Sequence, residues 1–229
     1  MPIVELADVK KDYPLGSVTV HAVRGVTLEI EAGDFISIAG PSGSGKTTIL
    51  NMIGCIDTPT AGTVTIDGAA TSELGDRALT DLRHRRIGFI FQSFNLVPVL
   101  NVYENIEFPL LLGRERLDKQ EKERRITELI EQVGLGDHMR HRPNELSGGQ
   151  RQRVAVARAL VTEPQIVLAD EPTANLDSTT GNQIIELMKQ INAQRGATFI
   201  FSTHDPEIVD IANHVVRLHD GVVTESTRV

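Results

Sequence analysis

The sequence predicts an α/β protein: a mainly parallel sheet flanked by helices, an antiparallel β flank from the N-terminal third, and a helical insert in mid-chain. Three observations carry this. After Pro164, short apolar runs alternate with amphipathic stretches, the pattern of parallel strands joined by crossover helices. Near the N-terminus, residues 3–9 (IVELADV) and 18–30 (VTVHAVRGVTLEI) are rich in β-branched residues and broken by turn formers, as antiparallel strands are. In between, residues 119–133 place Ile126, Leu129, Ile130 and Val133 on one helix face, the i, i+3, i+4, i+7 spacing of an amphipathic helix.

The remaining elements follow in order. FISIA (35–39) is a short apolar strand followed at once by Gly40, with a helix beginning near Gly45. GTVTID (62–67) and IGFIF (87–91) are further strands, and 76–86 is a short polar helix. In the insert, 149–162 forms a second helix, with Val154, Ala157, Arg158 and Val161 on similar spacing. Then come strand 165–169, helix 178–195, strand 197–202, helix 205–212 and strand 214–218. The expectation is one domain over 1–229, with an α/β core of 1–92 plus 164–229 and a helical subdomain of about 93–163. There is no internal repeat.

Composition narrows the function. The 229 residues are 40% apolar and 24% charged, ordinary for a globular protein. Aromatics are 4% and Trp is absent, so the core is aliphatic. With 23 Lys+Arg against 31 Asp+Glu, the net charge is −8. That argues against nucleic acid as a partner, because such binding draws on phosphate neutralisation. Cys55 is the only cysteine; a disulfide framework or multi-cysteine metal site within one chain is excluded, and a reducing, cytoplasmic setting fits. It falls in the apolar helix after Gly45 and is expected in the core. Apolar stretches such as Phe108 to Leu112 fall far short of the ~20 residues of a spanning helix. The N-terminus has early acids and no basic run before an apolar block, so no secretory signal is expected. Work at a membrane would need a partner to hold the chain there.

The chemistry begins at Gly40-Pro41-Ser42-Gly43-Ser44-Gly45-Lys46-Thr47, which fits G-x-x-x-x-G-K-[ST] between a strand and a helix. Glycines let backbone N–H groups wrap a phosphate, and the helix start adds its positive dipole end. Lys46 supplies charge for the β- and γ-phosphates, and the Thr47 hydroxyl can ligate Mg²⁺. This makes the core that of a P-loop NTPase. IVLADE (166–171) brings Asp170 and Glu171 to a strand's C-terminal end, where ligands bind in open α/β sheets. Asp170 is placed for the Mg²⁺ shell, and Glu171 to polarise the attacking water. Gln92 follows one strand and His204 another. Leu146-Ser147-Gly148-Gly149-Gln150 opens the second insert helix and makes a second anion-binding helix start.

Together GPSGSGKT, Gln92, LSGGQ, IVLADE, the segment Ala174-Asn175-Leu176-Asp177 and His204 resemble, in order and spacing, the ATP-binding subunits of ABC transporters. The resemblance covers nearly the whole chain. It implies ATP and Mg²⁺ as ligands, with residues 40–47 and Thr48 on the nucleotide. Thr47, Gln92 and Asp170 would serve the metal, with Glu171, His204 and Gln92 catalytic. It implies an ATP-dependent head-to-tail homodimer in which residues 146–150 of one subunit, chiefly Ser147 and Gly149, cap the γ-phosphate held by the other. Residues 174–177 would lie at that interface, where Ala174 replaces the Gly or Ser of many relatives. Tyr13 matches the aromatic that stacks on adenine. The stretches 51–62, 89–112 and 142–160 look most like the lipoprotein-releasing and macrolide-exporter branch. The chain stops about ten residues after the strand at 214–218, unlike the longer sugar-importer ATPases with a regulatory C-terminal domain. The expected partner is a membrane permease, with the chain on the cytoplasmic side of the bacterial inner membrane. A cell-division-type ATPase, an amino-acid importer ATPase and a soluble family member acting on DNA or ribosomes are the alternatives. The apolar run from Phe94 to Leu100, with Tyr103, Phe108, Leu110 and Leu111, reads as a connection too short to bury them all, hence a docking surface.

Overall fold

The computed structural model describes residues 2–113 and 117–228. Met1, Val229 and residues 114–116 of the expected insert lie outside the described residues. Two sheets organise the chain. In the six-stranded sheet the order is β10 (Val222–Arg228), β9 (His214–His219), β3 (Phe35–Ala39), β8 (Thr198–Thr203), β7 (Ile166–Asp170) and β6 (Ile87–Ile90). The five strands from β9 to β6 are parallel, and β10 runs antiparallel to β9. The four-stranded antiparallel sheet has the order β2 (Val18–Ile30), β1 (Val4–Leu15), β4 (Ala61–Ile66) and β5 (Ala69–Ala70).

Alternation along the parallel strands divides the core. Phe35, Val167, Phe199 and Phe201 face one apolar layer, while Ile36, Ile38, Leu168 and Ile200 face the other. Both faces are covered, as a parallel sheet requires. The first layer holds α6 (Ser178–Arg195), α7 (Pro206–Ile211) and the insert helices α3 (Val102–Leu112), α4 (Lys119–Gln132) and α5 (Gly148–Leu160). The second holds α1 (Lys46–Ile53) and the inner face of the antiparallel sheet. Fully buried side chains such as Ile36, Ile38, Phe199 and Phe201 each stabilise by roughly 1.5–3 kcal/mol on burial. Cys55 is buried as expected, and burial pushes its thiol up to about 11.

α2 (Asp76–Arg86) and α6 lie where the sequence predicts them. Two elements differ. Residues 102–112 are not a loop but helix α3, opened by a capping box in which Asn101 accepts from the Glu104 N–H and Glu104 accepts from the Asn101 N–H. Asn101-x-x-Glu104 is that signal in sequence; Pro109 inside the helix masks it. The tail after 218 carries β10, whose residues are mostly exposed. It shows no apolar alternation; backbone pairing to β9, the Asp220-Gly221 turn with both residues at positive φ, and side-chain contacts such as His214–Ser226 and Arg217–Glu225 make it a strand.

The parallel strands end together. Ala39 pairs with Thr203, Asp170 with Ser202 and Ile90 with Ala169. The segments that follow them emerge at one edge of the sheet.

Candidate active site

The loop between β3 and α1 is shaped by its glycines. Gly43 (φ 79°) and Gly45 (φ 102°) occupy the left-handed region, and a Cβ on Gly45 would run into the Ala22 carbonyl. Gly45 caps α1 without any side-chain hydrogen bond, so the orphan amides of this helix start stay open to an anion. Lys46 is buried, and its Nζ donates to the carbonyls of Gly40 (2.8 Å) and Pro41 (3.1 Å). The same ammonium lies 3.8 Å from Glu171.

Thr47 Oγ1 donates to Asp170 Oδ1 at 3.0 Å, and Ser202 Oγ donates to the same carboxylate. This pair of hard oxygen groups, Thr47 on the cleft wall and Asp170 hydrogen-bonded to it, fits a Mg²⁺ that keeps its remaining sites for phosphate and water. Glu171 has φ 45°, a left-handed conformation costing a non-glycine of order 1–3 kcal/mol. Its N–H donates to the Ser202 carbonyl at 2.9 Å, and its carboxylate lies 2.9 Å from His204 Nδ1. The acid is thus fixed between a lysine and a histidine, the setting of a group that orients a water and takes its proton.

A cleft of ≈ 840 Å³ is lined here by Pro41, Ser42, Gly43, Gly45 to Thr48, Gln92, Glu171 and His204. Sequence reading missed its other wall: Thr19, Val20, His21, Ala22 and Arg24 of β2, with Asp220. No motif marks them; only the packing of β2 against the phosphate loop brings them there. Gln92 is held from behind, its carbonyl accepting from Asn175 Nδ2 at 2.8 Å.

Tyr13 is not part of the cleft lining. Its hydroxyl donates to Asp57 at 2.6 Å, and Lys11 Nζ stands 4.9 Å from its ring centroid. Burial and the Asp57 bond push the Tyr13 hydroxyl up. Burial also pushes the Asp57 carboxyl up, but hydrogen bonds from Lys11 and Tyr13 outweigh it and hold the group below the usual carboxylate range.

The second helix start is built differently. Ser147 Oγ accepts from the Gln150 N–H (3.2 Å), and Gln150 Oε1 accepts from the Ser147 N–H (2.8 Å), a complete capping box. Leu146 is buried beneath it. A Cβ on Gly149 would run into Thr180, and Gly148 packs beside Leu176 and Asn175. Asp177 caps α6, accepting from the Thr180 N–H (3.0 Å) and hydroxyl (2.7 Å). Residues 146–150 and 174–177 are therefore neighbours. None of residues 146–150 borders the cleft that holds Lys46, so within one chain the two helix starts are apart.

A glycine-shaped phosphate loop, an acid pair at the end of the adjoining parallel strands and an open cleft between them define a P-loop nucleoside triphosphatase. The chain belongs to the ABC transporter family: the family model of that description matches residues 23–174, well over half of it. It is an ABC transporter ATP-binding subunit, and its activity is ATP hydrolysis. It is 44% identical over 222 residues, 96% of this chain and 98% of the relative, to "Lipoprotein-releasing system ATP-binding protein LolD 1" of Rhodopseudomonas palustris. It is 43% identical over 223 residues to "Macrolide export ATP-binding/permease protein MacB" of Syntrophobacter fumaroxidans, covering 97% of this chain but 31% of that protein. Among solved structures it matches the dimeric post-hydrolysis state of the ATP-binding cassette MJ0796 bound to ADP and Pi, a protein of Methanocaldococcus jannaschii. The TM-score is 0.90 at 44% identity, covering 98% of each chain.

Proposed function

We propose that this chain is the motor of an export or lipoprotein-release type transporter, closing as an ATP-dependent homodimer to drive a membrane permease. The observation that carries this reading is the separation just described: a single chain offers a phosphate loop and a second anion-directed helix start that never meet. Two copies arranged head to tail bring them together at two equivalent sites. In that arrangement Lys46 and the amides of residues 42–48 hold the β- and γ-phosphates. Ser147 and Gly149 of the second copy close over the γ-phosphate. Thr47 and Asp170, with Gln92, hold Mg²⁺, which when bound neutralises charge on the β- and γ-oxygens. Glu171 takes the proton of the attacking water, and His204 keeps that water and the γ-phosphate in line. Tyr13, outside the cleft, serves the adenine once the base is seated.

The same reading puts the chain at the cytoplasmic face of a membrane through its partner. No described helix is long and apolar enough to cross one, and a MacB relative carries its permease in the same polypeptide by name. The permease docks on the helical subdomain of about 93–163. Val99 (70% exposed), Leu111 (60%) and Leu112 (67%) leave apolar surface there, which marks partner sites. Between this subdomain and α2, a hollow of ≈ 420 Å³ is lined by Ile56, Phe89 and Leu112 with Thr80, Arg83 and His84, a fit for an amphipathic segment of the permease. Arg158 of α5 ties this region to the signature helix, donating to the carbonyls of Phe94 (2.8 Å) and Asn95 (2.5 Å), both at positive φ. Pull-down of the native membrane partner and its sequencing tests the reading. A permease with a large periplasmic domain is expected; an amino-acid importer permease or a cell-division protein overturns the branch assignment.

A further inference from the structure

We infer that His138 is a positioning residue for the signature: it fixes the Gln150 side chain in the one orientation that completes the cap on Ser147. This rests on the composite-site reading for its consequence, though not for its geometry. Gln150 Oε1 accepts from the Ser147 N–H at 2.8 Å, while Gln150 Nε2 lies 3.0 Å from His138 Nε2. A carboxamide has one acceptor oxygen and one donor NH₂. With its oxygen committed to Ser147, the end that meets the imidazole is the donor. His138 Nε2 must therefore accept, which requires a neutral ring with its proton on Nδ1.

Protonation breaks this arrangement. A charged His138 presents N–H to NH₂. Turning the Gln150 amide over would satisfy the ring but set its NH₂ against the Ser147 N–H. One of the two hydrogen bonds is lost either way, and the helix start that presents Ser147 and Gly149 loosens. The ring is well placed for this control. His138 ends the 3₁₀ turn Gly136–His138, and its backbone N–H donates to the Leu135 carbonyl at 2.9 Å. The His141 ring tilts against it with centroids 5.1 Å apart. Asp137 on the same turn and Glu131 of α4, which packs against Gly136, supply acid charge at this corner. His138 does not border the nucleotide cleft, so its effect is on the cap and not on nucleotide held by one chain.

Two measurements test this. Histidine ¹⁵N NMR on the nucleotide-free protein reads the tautomer directly. A neutral His138 protonated on Nδ1 is expected, with the Gln150 side-chain amide shifting as His138 titrates. An Nε2-protonated ring, or a Gln150 amide indifferent to that titration, overturns the inference whatever the chain does with ATP. Sedimentation then reads the consequence in the Glu171→Gln background with Mg-ATP. Dimerisation is expected to weaken about tenfold between about pH 8 and about pH 6, through the loss of one modest hydrogen bond at each of two sites. His138→Gln keeps an uncharged acceptor and should remove that pH dependence. His138→Phe keeps the ring but no acceptor and should weaken the dimer about tenfold at both pH values, with nucleotide affinity of the monomer unchanged. If His138→Phe dimerises as tightly as its parent, or His138→Gln keeps the parent's pH dependence, the inference is wrong. If Glu171→Gln itself never dimerises while the tautomer is as expected, the composite-site reading fails and the positioning contact stands.

Discussion

The starts of α1 and α5 both carry glycine, yet one is open and the other closed. At α1 the capping residue is Gly45, with φ 102° and no side chain to satisfy the first amides. At α5 Ser147 and Gln150 satisfy each other. The open start sits in a cleft with the buried Lys46 and Glu171; the closed one sits beside residues 174–177 and does not border that cleft. An open helix end binds phosphate by itself. A capped end is stable alone, and in the proposed dimer its Ser147 hydroxyl meets the phosphate that the second copy delivers. On that proposal the first start binds and the second responds.

That difference can be broken at several strengths. The largest effect is expected at the acid beside the open start. Glu171→Gln should lower ATP turnover by about 10²–10⁴-fold while leaving nucleotide bound, as steady-state rates alongside a binding titration will show. Wild-type turnover would remove Glu171 as the base. Next comes His204→Ala, which loses the group 2.9 Å from the Glu171 carboxylate. Most hydrolysis should go, with ATP affinity within a few-fold; a large loss of affinity would move His204 from catalysis to binding.

The helix starts themselves should diverge. Gly45→Ala places a Cβ against the Ala22 carbonyl in a left-handed conformation, so nucleotide binding by the lone chain should fail. Ser147→Ala removes a cap worth about 1 kcal/mol, so a small drop in thermal stability and near-normal nucleotide titration are expected. Equal losses of nucleotide binding in the two variants would erase the distinction. The smallest effect on the isolated chain is expected at Val99→Glu, where the side chain is already in solvent. Its ATPase rate should not change, while co-purification with the permease should fail. Leu96, by contrast, packs partly against the core, so a charge there would test folding as well as docking.

Much of this was legible in the chain. GPSGSGKT and LSGGQ each join a loop to a helix by turn and capping chemistry that operates locally, so their placement follows from their own residues. IVLADE reads as a buried strand because both its faces are apolar. What was not legible depends on contacts remote in sequence. The β2 wall of the cleft exists because Val23 and Val26 pack in the core, leaving Thr19 to Ala22 against the phosphate loop. α3 was hidden by Pro109 and by reading Leu110 and Leu111 as surplus apolar surface, although Leu110 packs on the core and Leu111 is exposed. The Gln150–His138 contact joins two segments by a single amide, and no periodicity announces it.

In the proposed assembly the open and closed starts complete one site only between two copies. Sedimentation of Glu171→Gln with saturating Mg-ATP, beside the same protein carrying Ser147→Arg, tests it most directly. A dimer is expected for the first and a monomer that still binds ATP for the second. A dimer that survives Ser147→Arg, or a Glu171→Gln protein that stays monomeric while the wild-type chain hydrolyses ATP at full rate, would contradict it.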